Sequence, residues 1–330
     1  MKLGTLELAN RYVLAPMQNV TTAPYRRFCR SFYEIGLVSV PMIYTKRIAK
    51  DPKFLEFELC KIEEEKPVSI QLIGSDLDSI KKSIDCLESY NFDVLDINAG
   101  CPSRRAINAK EGGYLMKDLE LLNKIIHVVV KYCSKPISLK IRTGFNKPVD
   151  IDQITNILNP SGLSFLIVHA RTVKSKYNDG TLDLETLKNL KQNLRIPVVG
   201  NGNITNPKSA KDFIDYTEVD ALMIGRESMG NPIIFRHIHQ YLTKNELLVF
   251  KNDKSLMREY LEIYEKIIDE FLNNILAPHG NDEFKLIELK RNAIWLTKEM
   301  ENSTRLRTEL SKVKTLKQLR GTLETLYNSN

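Results

Sequence analysis

The segment "LDINAGCPSRR" begins as an apolar strand and then places a thiol in a turn. Cys101 stands between a glycine and a proline, and Arg104 and Arg105 follow shortly after it. A small packing residue is the alternative reading of this cysteine. Because the turn holds the thiol outside the apolar run and beside two cations, we favour a chemical role for Cys101.

Two polar residues interrupt other apolar strands. Lys140 lies in "SLKIRTG" and Gln71 lies in "VSIQLIG". A buried lysine costs stability unless it meets an anion. A lysine facing an anionic ring edge and a glutamine at its polar rim would bind a flat heterocycle. The alternative is a Lys–Asp or Lys–Glu pair inside the fold.

Two glycine-containing turns, "GNGNI" at 200–204 and "IGRESMGNP" at 224–232, predict a phosphate site. Glycine lets the backbone approach an anion closely, amide N–H groups donate to phosphate oxygens, and Arg226 adds a positive charge. A phosphate at one end and a ring with an anionic edge at the other suit flavin mononucleotide (FMN).

The elements that must position these residues are short, apolar, β-branched runs that alternate with helical spacing. This alternation predicts a parallel sheet with helical crossovers, and eight runs indicate a closed (β/α)8 TIM barrel. The predicted strands are 12–15, 37–43, 68–72, 94–97, 137–141, 165–168, 196–199 and 221–224.

Polar residues follow nearly every predicted strand. In a barrel these carboxyl ends meet at one mouth, where active sites of this fold are built. In order along the chain, the residues at these strand ends are Pro16 with Met17, Tyr44, Gln71, Asn98 with Cys101, Lys140 with Arg142, His169 with Arg171, Asn201 with Gly202, and Gly225 with Arg226.

The composition predicts a globular protein in a reducing compartment. No apolar run is long enough for a membrane span and no secretory signal is evident. Five cysteines without CxxC spacing, and a lone His237–His239 pair without carboxylate companions, predict neither disulfides nor a metal. We therefore expect a cytoplasmic protein without a metal or a membrane partner. Separately, we expect a monomer.

The last ninety residues show helical spacing and a concentration of positive charge. Between Lys285 and Arg320, ten Lys/Arg residues stand against four Glu, which accounts for +6 of the net charge of +7. A solvated helical surface is one explanation, and an anionic polymer as partner is the other. We predict a barrel over 1–240 and a helical domain over 241–330.

The motifs together resemble the tRNA-dihydrouridine synthases, FMN enzymes with a TIM barrel and a helical C-terminal domain. The resemblance runs through "LAPMQNVTTAPYRR", "QLIG", "LDINAGCPSRR", "EGGYLM", "SLKIRTG", "VHARTVKSKYNDG", "GNGNITNPKSA" and "DALMIGRESMGNPIIF". It weakens beyond them, although "RNAIWLTKEM" is similar to the helical segment of that family.

The resemblance implies that residues 1–240 form an FMN-binding catalytic barrel and that residues 241–330 form a helical tRNA-binding domain. It also implies a role for each matching position. Cys101 is the catalytic residue. The implied FMN-binding residues are Pro16, Met17, Gln18, Gln71, Lys140, His169, Asn201, Gly202, Asn203, Gly225 and Arg226. The implied uracil- or RNA-binding residues are Asn98, Arg104, Arg105, Arg142, Arg171, Tyr177, Lys290 and Arg291.

Three departures from the family pattern concern substrate position and RNA docking. Gln18-Asn19 replaces a smaller Ala-Gly pair, Asn203 replaces an aspartate, and Lys290-Arg291-Asn292 replaces Arg-Lys-His. The larger side chains at 18 and 19 could narrow one side of the pocket.

The implied reaction reduces the C5–C6 double bond of a uridine in tRNA to 5,6-dihydrouridine. Reduced flavin delivers hydride to C6, Cys101 protonates C5, and NADPH reduces the flavin again. Asn98 and Arg142 would stabilise the developing enolate oxygen. Two rivals stay open: an FMN barrel oxidoreductase of a free small molecule such as dihydroorotate or an enone, and a flavin-free RNA-binding barrel.

Overall fold

The computed structural model describes residues 1–298 and 300–328, without the side chain of Asp179. Its strands are β1 (Lys2–Leu3), β2 (Leu6–Glu7), β3 (Tyr12–Leu14), β4 (Val38–Ser39), β5 (Ile43–Tyr44), β6 (Val68–Ile73), β7 (Val94–Ala99), β8 (Ile137–Arg142), β9 (Phe165–His169), β10 (Val198–Asn201) and β11 (Ala221–Ile224).

The α-helices cover the crossovers and the C-terminal region. They are α1 (Ala23–Phe32), α2 (Thr45–Lys50), α3 (Leu55–Glu58), α4 (Leu77–Leu87), α5 (Arg104–Asn108), α6 (Leu119–Tyr132), α7 (Ile151–Leu158), α8 (Leu184–Asn193), α9 (Pro207–Thr217), α10 (Ile234–Lys244), α11 (Lys254–Leu272), α12 (Asn281–Leu296), α13 (Ser303–Lys312) and α14 (Leu316–Asn328).

The sheet is a parallel barrel, as predicted. Its order is β3-β11-β10-β9-β8-β7-β6-β4, and a parallel bridge between Val13 and Leu37 brings β3 next to β4. One predicted strand, 37–43, is broken: Val38–Ser39 and Ile43–Tyr44 pair separately with β6. Pro41 lies in the break and has no N–H for a ladder bond, which explains the interruption.

The barrel interior changes from apolar to polar along the strands. Alternate residues of a strand share one face, so inward positions recur every two residues. Near the amino ends these positions form one buried cluster, which two leucines of the β1–β2 hairpin region join. Further along three of the strands, the same face carries polar side chains: Asp96 and Asn98 after Val94, His169 after Ile167, and Asn201 after Val199.

The chain divides into two compact units, one of which is discontinuous. The first comprises Met1–Thr22 and Glu34–Gly225, and the second comprises Ala23–Tyr33 and Arg226–Asn330. The boundaries differ from the predicted functional domains, whose assignment of catalysis and tRNA binding stays a prediction. In the part of the second unit that the structure describes, the secondary structure is helical, as predicted.

Helix α1 belongs to the helical unit although it follows the first barrel strand in sequence. The Phe28 and Tyr264 rings lie 4.9 Å apart, and Tyr25 meets the Trp295 ring edge-on at 5.6 Å. These buried aromatic contacts join α1 to α11 and α12, and such pairs stabilise a core beyond the area that they bury.

Candidate active site

The Cys101 turn is held by a side-chain cap from the strand before it. The Asn98 Oδ1 accepts the Gly100 N–H at 3.1 Å and the Cys101 N–H at 2.5 Å. Ser103 then caps α5, because its Oγ accepts the Ala106 N–H at 3.2 Å. Cys101 is half-buried, whereas Cys29 is fully buried. The thiol thus stands outside the apolar core, as the sequence predicted.

A chain of side-chain hydrogen bonds lies behind this turn. Asn98 Nδ2 donates to Gln71 Oε1 at 2.7 Å, and Gln71 Nε2 donates to Asp96 Oδ2 at 2.6 Å. The Ser138 hydroxyl donates to the other oxygen of Asp96 at 2.6 Å. Sequence reasoning missed Asp96 and Ser138, although a carboxylate in the apolar strand "VLDINA" was a visible signal.

Burial shifts two titrations at the centre of the site. It raises the pKa of Asp96 to about 6, against the opposing effect of the Ser138 and Gln71 donors and of the Lys140 charge. Burial, with the charge of Arg142, lowers the pKa of Lys140 to about 8. Perturbed titrations of this kind are typical of functional sites.

Lys140 offers an ammonium group that the fold does not use. Across the described ranges, no hydrogen bond or ion pair of the Lys140 side chain is found. The Asp96 carboxylate binds Gln71 and Ser138 instead, so the direct Lys–Asp pair considered from the sequence does not form. The ammonium is available for an anionic ligand.

Buried Arg142 fastens the Cys101 turn to the loop after β9. Its Nε donates to the Gly100 carbonyl at 2.8 Å, and one terminal nitrogen donates to the carbonyls of Thr172 at 3.1 Å and Lys176 at 2.6 Å. The guanidinium carbon lies 5.2 Å from the centre of the Tyr177 ring. Burial lowers the pKa of Arg142, yet an arginine stays charged at neutral pH.

Arg171 links the same loop to the predicted phosphate turn. Its Nε donates to the Asn178 carbonyl at 2.9 Å, and another guanidinium nitrogen donates to Asn203 Oδ1 at 2.8 Å. The guanidinium also lies 3.3 Å from His169 Nε2. Tyr177 is half exposed, with its ring 6.2 Å from that of His169. Asn203, one of the departures from the family pattern, serves here as an acceptor for Arg171.

The turn after β10 presents unused amides. Gly202 has φ +136° and Asn203 has φ +49°, so the backbone turns sharply away from the strand. Asn201 Nδ2 fixes its start by donating to the Met223 carbonyl at 2.7 Å. In the described part of the chain, the N–H groups of residues 202–204 have no hydrogen-bond partner. Clustered free amides of this kind bind anions.

The remaining predicted cofactor residues lie at the ends of β3 and β11. After β3, Met17 and Thr21 close a turn through their backbone and hydroxyl groups, and Gln18 is exposed on it. Gly225 follows β11, and a Cβ there would lie 3.6 Å from the Met17 sulfur. Arg226 comes next and begins a 3-10 helix.

The residues predicted to bind RNA outside the barrel mouth differ in whether their side chains have partners within the protein. Arg104 and Arg105 are exposed on α5, with Arg105 4.4 Å from the Tyr44 ring centre. On α12, Lys290 donates to the Val313 carbonyl at 3.0 Å, and Arg291 forms an ion pair with buried Glu288. Both α12 cations thus have intramolecular partners, and their role in RNA binding stays a prediction.

In residues 1–298 and 300–328, no helix is both long and apolar enough to cross a membrane. Over the same residues, no group of three or more His, Cys, Asp and Glu side chains could hold a metal ion.

The structure is a (β/α)8 barrel whose candidate site lies at the carboxyl ends of the strands. The chain matches the model of a family described as "Dihydrouridine synthase (Dus)" over residues 13–329. It therefore belongs to the dihydrouridine synthase family, which is a family of oxidoreductases.

Individual relatives agree with this assignment. The tRNA-dihydrouridine synthase B of Shewanella oneidensis strain MR-1 is 32% identical over 320 residues, 96% of this chain and 94% of that protein. The tRNA-dihydrouridine synthase B of Escherichia coli K12 is 32% identical over 254 residues, 75% of this chain and 77% of that protein. A solved morphinone reductase mutant in complex with tetrahydroNAD has a TM-score of 0.54 at 13% identity, covering 72% of this chain and 89% of that one. This last likeness concerns the fold alone.

Proposed function

We propose that the chain reduces the C5–C6 double bond of a uridine in tRNA to 5,6-dihydrouridine, with FMN as cofactor and NADPH as reductant. The observation that carries the proposal is the Cys101 turn, which is built on the same barrel end as the Lys140 ammonium and the amides of 202–204. Family membership supplies the reaction class.

The residues at the barrel mouth suit FMN. The free amides of 202–204 and Arg226 would bind its phosphate, Lys140 and Gln71 would bind the polar edge of its ring, and Pro16, Met17 and Gln18 would lie beneath it. His169, Asn201 and Gly225 complete the proposed cofactor site. When bound and reduced, FMN supplies the hydride for C6 of uracil.

The protein's own contribution is to hold the base and to supply a proton. Hydride addition at C6 leaves negative charge on the uracil, spread from C5 onto the C4 oxygen. Cys101 Sγ would give its proton to C5, and the thiolate would then recover a proton from solvent. Asn98 and Arg142 would face the enolate oxygen, while Arg171 and Tyr177 would border the base.

The uridine has to leave its stack to reach this site, as in other enzymes that act on a nucleobase. Phosphate contacts would then carry much of the affinity. Arg104, Arg105, Lys290 and Arg291 are our proposed contacts from the sequence. The structure adds three exposed lysines around the α13–α14 turn, Lys312, Lys314 and Lys317, for which no ion pair is found within the described ranges. We propose that the protein acts as a monomer in the cytoplasm, where tRNA is found.

Cys101→Ala tests the acid, with Cys60→Ala as a matched control on an exposed cysteine. The purified Cys101→Ala protein should stay yellow but form dihydrouridine about 10²-fold or more slowly in single turnover, which is the usual worth of a positioned acid. Cys60→Ala should behave like the wild type. Unchanged single-turnover rates for Cys101→Ala would remove the acid role.

The wider proposal has its own tests. NADPH oxidation that depends on added tRNA distinguishes this function from an FMN barrel that reduces a small molecule. A wild-type protein that neither contains nor takes up FMN would refute the proposal altogether.

A further inference from the structure

The hydrogen bonds behind the Cys101 turn run in one direction only. An ionised carboxylate can only accept, so Asp96 receives one bond from the Ser138 hydroxyl and one from the Gln71 NH2 group. Gln71 must therefore keep its carbonyl on the other side, where it accepts from the Asn98 NH2 group at 2.7 Å.

The direction of this chain decides what Asn98 presents to the turn. With its NH2 group bound to Gln71, Asn98 is left with a carbonyl for the N–H groups of Gly100 and Cys101. If Asn98 were reversed, its NH2 group would face two N–H donors, and neither amide would be capped. The position of the thiol-bearing residue thus depends on an amide orientation that begins at Asp96.

Asp96 is well suited to hold this orientation. Because Asp96 is buried, little water competes for its two carboxylate oxygens. Hydrogen bonds to a charged acceptor are also about twice as strong as those between neutral groups. Burial raises its pKa to about 6, which still leaves a carboxylate at pH 8. Its neighbours from the flanking strands are Gln71 on β6, and Ser138 and Lys140 on β8, and Lys140, with a pKa of about 8, is about half charged at that pH.

We infer that Asp96 is a positioning residue: through Gln71 and Asn98 it fixes the backbone of Cys101, and so aims the thiol without touching substrate or cofactor. This role rests on the proposed function of Cys101 and deepens it. It also gives Gln71 a second task, since one amide would serve both the cofactor pocket and the turn that carries the acid.

Three variants at pH 8 test the role. Asp96→Leu keeps the branched shape of the side chain but removes both acceptor oxygens, and Asp96→Asn keeps a weaker, neutral acceptor. Ser138→Ala removes the other hydrogen bond of the same carboxylate, which has the same length of 2.6 Å, and leaves the amide chain intact. It is therefore the matched control.

Activity should fall in a set order. At saturating tRNA, kcat should fall about 30- to 100-fold in Asp96→Leu, the scale expected for a catalytic group displaced by about 1 Å. Asp96→Asn should rescue it only in part, to about tenfold below the wild type, because a neutral acceptor is weaker. Ser138→Ala should stay within about threefold. The KM for tRNA should change little, since none of the three changes touches the basic surface. The kcat of each variant is expressed per bound FMN, because Gln71 and Lys140 beside Asp96 belong to the proposed cofactor site.

A second readout follows the turn itself. In protein labelled with 15N-cysteine, the Cys101 amide should exchange its hydrogen at least about tenfold faster in Asp96→Leu than in the wild type. The Cys133 amide, bonded to the Val129 carbonyl at 2.9 Å, is the internal reference and should keep its rate. Equal acceleration at both cysteines would mean general loosening and would overturn the positioning role.

The remaining outcomes also decide. Wild-type kcat and wild-type Cys101 exchange in both Asp96 variants would overturn the inference, as would a loss in Ser138→Ala equal to that in Asp96→Asn. Should Asp96→Leu not fold, the comparison of Asp96→Asn with Ser138→Ala gives the answer. If the wild type binds FMN but forms no dihydrouridine, the proposed function fails, and the exchange of the Cys101 amide alone then tests whether Asp96 holds the turn.

Discussion

Replacing Arg142 by methionine should release the loop after β9 and the Cys101 turn together. The guanidinium donates three hydrogen bonds to backbone carbonyls, those of Gly100, Thr172 and Lys176. Methionine is similar in length and can donate none of them. The loop 172–182 would then lose the hydrogen bonds by which Arg142 attaches it to the turn that carries the thiol.

The magnitude follows from the number and kind of these bonds. A hydrogen bond to a charged group contributes about 1.5–3 kcal/mol, and the three share one side chain, so their sum is an upper bound. Water also reaches the carbonyls once the loop opens. We therefore expect the free energy of local opening of the loop to fall by about 3 kcal/mol, which corresponds to an open population about 10²-fold larger.

Hydrogen–deuterium exchange of the peptide spanning 172–182 measures this population directly. The backbone N–H groups of Val173 and Lys174 are bonded to the carbonyls of Gly144 and Phe145 at 2.9 and 3.0 Å, so their exchange reports opening. Arg104→Met is the control, because it removes the same charge from an exposed position. Equal exchange of this peptide in the two variants would refute the fastening role of Arg142.

Two further predictions concern the charge of Lys140 and that of the lysines around the α13–α14 turn. With a pKa of about 8, Lys140 is charged below that pH and neutral above it, so FMN affinity should fall from pH 7 to 9. In Lys140→Arg the positive charge persists, so FMN affinity should no longer fall between pH 7 and 9. Flavin fluorescence measures the affinity, and the same pH dependence in the variant and the wild type would contradict the role of Lys140 in FMN binding. Replacing Lys312, Lys314 and Lys317 by glutamine should weaken tRNA binding and reduce the slope of log K against log salt by about 2–3, at about 0.7–0.9 per phosphate contact. The charge of Arg305 is already paired with Glu309, so Arg305→Gln should change that slope by less than the value for one phosphate contact. An unchanged slope in the triple variant would exclude the three lysines as phosphate contacts.

The sequence predicted the barrel because its signals are local. Alternating apolar runs and helical spacing can be recognised without knowing which segments pack against each other in the fold. The residues that follow each strand are located by the same pattern. The broken second strand was harder to foresee, since it depends on where Pro41 falls relative to the pairing with β6.

The hydrogen-bond chain was beyond sequence reasoning for a physical reason. Asp96 meets Gln71 from 25 residues away and Ser138 from 42 residues away, and both contacts depend on the register of three strands. Charge counting has a similar limit. The ten cations between Lys285 and Arg320 look alike in sequence, yet Lys285 and Arg291 have acidic partners in the fold, while the lysines around the α13–α14 turn do not within the described residues.

Helix α1 has a consequence for any attempt to divide the protein. Its aromatic side chains complete the hydrophobic core of the helical unit, although the ribosome makes this helix some two hundred residues before α10. During synthesis, α1 therefore lacks its packing partners until the C-terminal helices leave the ribosome. A transplant of the C-terminal residues onto another barrel would leave an apolar gap unless it also brought residues 23–33. Recombination between relatives should therefore be tolerated best where both segments come from the same parent.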